Sequence, residues 1–421
     1  MQQIERLIIG GGSDVDAADI TRLRALVQEF ETELATLGAR VDDVEGRVEF
    51  LEDHQFSTTT KLEGKVVFAA IGAEGGAADD DQITFGNRVR LNLDTSFTGQ
   101  DNLRVRLAAA NAVRPNIGTA EGGLAFADDA SGGNNVEVDA LVYAFPLTKR
   151  LNVAIAANAG ASDDFASTIN FLDGDGNEGA LTNFGTRNPI YYQIEDKGIG
   201  LEYSLSDKII LSAGYMAPDA NNPSEKAGLF NGAYGALGQL HFIPSDNLEF
   251  GLTYLNSYNL SDTGTGSNNS NVRALTNNEL PTSSNSYGVE ASWKIGDKFV
   301  LGGWAGYSNI RALSSLGGRV DRGSFDVWNW AVTAAFPDFL ADGALGGIVV
   351  GIEPKVTNSS VVVDGNNLED PDTSLHVEAF YQYPLNDNIM ITPGIVWLTA
   401  PDHNSSNDDV FIATIRTLFS F

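Results

Sequence analysis

Four arginines stand at alternate positions on either side of a polar turn in the stretch NRVRLNLDTSFTGQDNLRVRLAAA, residues 87–110: Arg88, Arg90, Arg104 and Arg106. Alternate residues of a strand share one face, so a hairpin here collects four guanidinium groups on one surface. The chain that does this has a formal net charge of -30. Permanently charged planar donors of this kind attract anions and hydroxyl-rich solutes. Like charges so close cost stability unless water screens them or carboxylates answer them. Three carboxylates of matching parity are at hand: Glu63 on the preceding strand, and Glu137 and Asp139 on the following one. The set reads as a selectivity ladder or as a lattice of ion pairs, and the two uses overlap.

Other chemistry is sparse. The stretch FLDGDGNEGALTNF places Asp173, Asp175 and Asn177 at the spacing of a calcium loop, but Glu178 stands where that loop needs glycine and Phe184 where it needs its bidentate acid. It is a weak metal candidate, and a solvated acidic loop is the plainer reading. The run Asp79, Asp80 and Asp81 reads as a charged rim. His54, His241, His376 and His403 are scattered without metal-ligand spacing, and there is no GxSxG, Walker or GxGxxG motif in context. Cysteine is absent, which removes thiolate sites and nucleophiles together. An enzyme is not expected and no cofactor is implied. Fifty-six acidic against 26 basic residues exclude general nucleic-acid binding.

The elements that must hold the arginines differ along the chain. From Ile20 the apolar residues fall at Ile20, Leu23, Val27, Phe30, Leu34, Leu37, Val41, Val44, Val48 and Leu51, alternating gaps of three and four. That is a heptad seam, and it predicts an oligomerising coiled coil about 50 Å long at ~1.5 Å per residue. After a polar linker the period becomes two, as in Phe85, Val89, Leu91 and Leu93 or Phe411, Ala413, Ile415 and Phe419. About 16 such strands are expected. Seven short polar turns alternate strictly with eight long stretches rich in Gly, Asn, Ser and Asp, the longest spanning 158–196. A membrane barrel keeps short turns at one end and long loops at the other, whereas a soluble sandwich has no reason to. Aromatic residues crowd the short-turn ends, among them Phe97, Phe145, Trp293 and Tyr383, as an interfacial girdle requires. No run reaches the ~18 apolar residues of a spanning helix. In such a barrel Val89, Leu91, Leu103 and Val105 face lipid, and the arginines face an aqueous lumen.

The helix ITRLRALVQEFETELATLGARVDDVEGRVEFLE, the junction HQFSTTTKLEGKVVFAAIG and a barrel ending in Phe421 together resemble the cyanobacterial outer-membrane porins. These are often called iron uptake porins and are similar to the carbohydrate-selective porin family. The resemblance covers residues 17–421. It implies a homotrimer passing small solutes and inorganic ions, iron included, by passive diffusion. It also implies that the longest loop folds inward to narrow the channel. Family members carry a signal peptide and a surface-layer-homology domain that binds peptidoglycan-linked polysaccharide. The first residues here read as neither, so a truncated or processed N-terminus is expected.

The expected organisation is a leader over 1–16, a coiled-coil helix over 17–54, a linker over 55–60 and an all-β transmembrane barrel over 61–421. The barrel sits among outer-membrane lipids with coil and short turns periplasmic and long loops extracellular. A structural tether between outer membrane and wall, with little transport, is the alternative.

Overall fold

The structure, a computed structural model, describes residues 17–54, 59–75, 82–127 and 133–421, with helix side chains described over 20–47. The leader 1–16, linker residues 55–58 and the acid run Asp79, Asp80 and Asp81 lie outside the described residues. The chain divides into two compact units between Thr58 and Thr59.

The first unit is one helix, α1, Ala17–His54, of 38 residues. No proline interrupts it. Thr32 and Thr36 turn their hydroxyls back onto the carbonyls of Gln28 and Thr32, at 2.8 and 2.9 Å, so neither competes with the helical ladder. The seam residues Leu23, Phe30, Leu34, Leu37, Val41 and Val44 remain 44% to 65% exposed. Nothing described in this unit covers them.

The second unit is a closed antiparallel barrel of 16 strands. The first eight are β1 (Thr60–Glu74), β2 (Thr84–Thr95), β3 (Asn102–Ala110), β4 (Glu137–Thr148), β5 (Leu151–Ala161), β6 (Glu195–Ser206), β7 (Ile209–Met216) and β8 (Tyr234–Ser245). The others are β9 (Leu248–Tyr258), β10 (Thr282–Lys294), β11 (Val300–Ala312), β12 (Ser324–Pro337), β13 (Leu345–Ser359), β14 (His376–Asn386), β15 (Ile389–Leu398) and β16 (Val410–Ser420). Neighbours in sequence are neighbours in the wall. Closure comes from β1 against β16, with Val66 opposite Phe419 and Ala70 opposite Ile415.

Alternation decides the faces. On β16 Phe411, Ala413 and Ile415 are exposed while Ile412, Thr414, Arg416 and Leu418 are buried. Aromatic rings ring the outside at both ends. Phe299, Phe336, Phe339, Tyr381 and Tyr383 form a chain of contacts near the short turns, with centroids 5.3 to 6.3 Å apart. Tyr254, Tyr287, Tyr307 and Trp328 form another toward the long loops, at 4.8 to 6.3 Å. The expectation from sequence contained only the first of these girdles.

The interior is not a water-filled tube with polar walls throughout. Much of the inward face is apolar, including Val67, Ile71, Trp304, Val349, Phe380, Val396 and Ile412, and two long connections fold in to cover it. The connection after β5 supplies Leu172, Leu181 and Phe184, and the one after β3 supplies Ile117, Leu124 and Phe126. Each such side chain contributes about 1.5–3 kcal/mol on full burial, which is what draws a loop away from solvent. Phe165, earlier in the same connection, packs toward β6 and β7, where any Cβ at Gly200 or Gly214 would lie 2.2 Å from its ring. Only glycine leaves that seat open. The two inward loops also touch each other through a bridge between Leu124 and Thr182.

Wall side chains then fasten the loops by hydrogen bonds. Glu378 on β14 accepts from the Leu181 and Thr182 amides at 2.6 and 3.2 Å. Glu353 on β13 accepts from the Gly122 amide at 2.8 Å and the Gly266 amide at 3.0 Å. Arg416 donates to the carbonyls of Gly176, Gly179 and Ala180 at 3.0, 2.7 and 3.2 Å. Acids thus hold loop N–H groups and the arginine holds loop carbonyls, in addition to the short antiparallel pairing of Asp173 and Gly174 with Gly179 and Glu178 inside the longest loop.

Candidate pore constriction

The register of β2 against β3 fixes where the four arginines stand. Asp94 lies opposite Arg104, Asn92 opposite Arg106, Arg90 opposite Ala108 and Arg88 opposite Ala110. The arginines therefore occupy four successive levels, Arg104 nearest the short turns, then Arg106, Arg90 and Arg88. Successive levels are two residues apart, about 7 Å along the strand. They form a staggered ladder and not two facing pairs, which spaces the charges apart.

Each rung is answered differently. Arg104, with a side chain 41% exposed, meets Asp94 at 3.1 Å. Arg106 forms a close ion pair with Asp139, which Arg90 shares at 3.4 Å. Arg90 also reaches Asp175 at 2.7 Å. Arg88 corrects the expectation that all four stand in water. It is 8% exposed and donates to the Ala125 carbonyl and the Asn177 side chain, both at 2.9 Å. Its rung sits under the inward loops, because those loops cover the upper wall.

The second partner of the ladder is the tip of the longest inward loop. Asp173, Asp175 and Asn177 all turn their oxygens onto arginines: Asp173 to Arg187 at 3.0 Å, Asp175 to Arg90 and Asn177 to Arg88. Burial alone would raise the Asp175 carboxyl, but Arg90, Arg187, Arg106 and Arg88 outweigh it and hold it below the usual carboxylate range. Burial likewise opposes the charge on Arg187, yet Asp173 and Asp163 lift its pKa above the ordinary value. Asp163 meets Arg187 at 2.8 Å.

Among the described residues neither Glu63 nor Glu137 forms an ion pair with the four arginines. Both still line the same space. Glu63 borders a cavity of about 560 Å³ on the short-turn side, together with Arg90, Arg104, Arg106 and Glu249. Glu137 and Asp139 border one of about 380 Å³ beside Arg88 and Arg90. A third cavity of about 320 Å³ lies on the loop side of Arg90, Arg104, Arg106, Asp175 and Arg187. Arg90 borders all three, so it marks the junction between them.

Reading from sequence missed Asp94, Asp163, Asp175 as an arginine partner, Arg187 and Arg416. Asp94 had a signal: it shares the arginines' parity within the same hairpin. Arg416 had one too, as an inward charge in the last strand. The loop residues had none, since nothing local aims a loop into a barrel.

Comparison with known proteins agrees with this architecture. Residues 17–421 match the carbohydrate-selective porin, OprB family. An uncharacterized protein of Nostoc sp. is 39% identical over 449 residues, covering 100% of this chain and 76% of the relative. Another from Synechocystis sp. is 35% identical over 441 residues, covering 100% of this chain and 80% of the relative. Among solved structures, the high-pH structure of Pseudomonas putida OprB aligns with TM-score 0.60 at 15% identity over 90% of this chain and 97% of that one. An anion-selective porin from Comamonas acidovorans aligns with TM-score 0.52 at 12% identity over 86% and 99%. A 16-stranded barrel narrowed by an inward loop, with charged side chains at the neck and a family match over nearly its whole length, is a solute channel and not an enzyme: the chain belongs to the OprB family of carbohydrate-selective porins of the outer membrane.

Proposed function

We propose that the protein is a weakly selective, homotrimeric porin that passes small hydrophilic solutes, sugars and inorganic ions, iron among them, by passive diffusion. One observation carries this reading: at the junction of the three cavities, the wall guanidiniums of β2 and β3 stand between a carboxylate of the neighbouring strand β4, Asp139, and one of the inward loop, Asp175. Such a lining offers donors and acceptors to hydroxyl-rich solutes and sets a transverse field for ions. Arg88, Arg90, Arg104 and Arg106 supply the positive side, Asp139, Glu63 and Glu137 part of the negative one. The Comamonas acidovorans protein of the same fold is anion-selective, which makes ion preference the property to measure.

Residues 17–54 act as the coiled-coil oligomerisation helix and 61–421 as the porin domain. The exposed seam of α1 supports the coil, and a solved porin of this fold, OmpT of Vibrio cholerae, occurs in a trimer form. The barrel wall adds a hint of where subunits meet: toward the long loops the outward residues of β4 to β6, Val138, Ile155 and Ile199, are aliphatic where β9 to β12 carry rings. The coil and short turns are periplasmic in this reading, the long loops extracellular, and further wall contact runs through polysaccharide.

Purified protein in a planar bilayer tests the channel. Step-like openings are expected, and an electrically silent, well-folded trimer overturns transport and leaves the tether. Replacing Arg88, Arg90, Arg104 and Arg106 by Gln is expected to move the zero-current potential in a salt gradient toward cation preference. An unchanged potential leaves the ladder a purely structural lattice.

A further inference from the structure

The residue that decides the charge of the constriction need not be one of the wall arginines. At the neck five guanidiniums, Arg88, Arg90, Arg104, Arg106 and Arg187, face five carboxylates, those of Asp94, Asp139, Asp163, Asp173 and Asp175. Four of the carboxylates lie against one or two guanidiniums each. Asp175 alone lies among three: its carboxylate is 2.7 Å from Arg90, 3.8 Å from Arg106 and 3.9 Å from Arg187. It is carried by a loop and not by the wall, and its side chain is 52% exposed to the lumen cavities.

Its backbone is held by bonds of its own. Asp175 has φ +51°, in the left-handed region that Asp and Asn enter more readily than other residues with a side chain. Its own carbonyl accepts from Arg88 at 3.3 Å, and its amide donates to Asp173 at 3.2 Å. These backbone bonds do not require the carboxylate. Loop anchoring and charge placement are thus carried by different atoms of one residue.

We propose that Asp175 is a tethered counter-ion, occupying a site built by Arg90, Arg106 and Arg187 for a small oxyanion and thereby excluding solute oxyanions from it. A carboxylate is itself an oxyanion, so the contacts it makes show what the guanidinium forks accept. Asp175 completes the formal balance of this set of five guanidiniums and five carboxylates. Without its charge that set carries one excess positive charge, and three guanidiniums converge on an accessible point. The proposal rests on the reading that the arginines set the ion preference of an open channel.

The test is electrical, on the purified full-length protein in planar bilayers. Asp175→Asn keeps the size, tolerates the left-handed backbone and removes the charge. Asp175→Gly removes the side chain and the backbone strain together, so a folding defect peculiar to one variant does not blunt the test. Heat-modifiable gel migration verifies both. In a potassium chloride gradient each variant is expected to raise the anion-to-cation permeability ratio about four- to sixteenfold, because one unit charge at ~5–10 Å in water changes the anion and the cation population two- to fourfold each, in opposite directions. Millimolar inorganic phosphate is expected to lower the chloride conductance of both variants and not that of the parent. Asp364→Asn, which removes a carboxylate paired with Arg319 on another loop, leaves both readings unchanged. If the Asp175 variants keep the parent's potential and phosphate insensitivity while an Arg90→Gln, Arg106→Gln double variant moves toward cations, the counter-ion role is overturned and the arginine reading stands. If none of the variants moves the potential, both are overturned.

Discussion

Arginines in this barrel do two kinds of work, and their surroundings separate them. Arg104 keeps a side chain 41% exposed beside one carboxylate and faces the lumen. Arg416 is fully buried, spends its donors on three loop carbonyls and has the ring of Phe126 5.7 Å away. Removing it leaves those carbonyls dry and unpaired. Arg416→Met is therefore expected to lower stability by about 3 kcal/mol, since each unsatisfied buried group costs ~1–3 kcal/mol. Thermal unfolding in detergent followed by circular dichroism checks it, and a midpoint equal to the parent's would mean that water or a neighbour satisfies the loop. Residue-scale legibility was uneven for the same reason. The ladder and Asp94 share a hairpin, where parity alone places side chains, while Asp163, Asp173 and Asp175 reach the arginines through a fold of the chain that parity does not describe.

The inward loops behave as elements packed on a wall, with a core and a set of ties. One tie ends near Glu121, in the connection after β3. Burial raises its carboxyl, and the neighbouring Glu353 adds to the effect, to about 8 from an ordinary 4.5. The folded loop thus keeps a proton that the unfolded chain releases. Linkage gives the sign: the folded state is relatively destabilised as pH rises from about 4.5 to about 8, and the loss is complete above that. The thermal midpoint is expected to fall between pH 5 and pH 8.5, and Glu121→Gln, which cannot ionise, is expected to flatten that slope. An equal slope in the variant would assign the effect to other groups. The inward direction of these loops was expected for the longest one from resemblance, and for the connection after β3 not at all. Ile117, Leu124 and Phe126 show no period, and what gives them meaning is the apolar patch of Val67, Ile71 and Ile412 on strands far away in sequence.

At the scale of the whole molecule, the chain carries a formal charge of -30, far beyond what the five paired carboxylates of the neck account for. A charge of that size acts as a diffuse field screened over about 10 Å at moderate salt. Assembly is the other property of this scale. The α1 seam leaves Phe30 55% and Leu37 57% exposed, an arrangement that water tolerates poorly unless other copies cover it. Phe30→Asp with Leu37→Asp is expected to weaken the proposed trimer while the barrel still folds. Chemical cross-linking and light scattering in detergent read the change, and a trimer of undiminished stability would place all assembly energy in the barrel walls.

Strand number, strand faces, the alternation of short and long connections, the helix and the ladder of arginines were all legible along the chain. All of these follow from periods of two or seven and from turn chemistry, which are local. Which arginines meet water and which are sealed under loops, the entry of a second connection into the barrel, and the place of Asp175 among three guanidiniums emerge with the folded barrel alone. Those outcomes depend on contacts between wall and loop across a closed barrel. No local period encodes them, because the energy that fixes them is shared between residues on strands that meet only when the barrel closes.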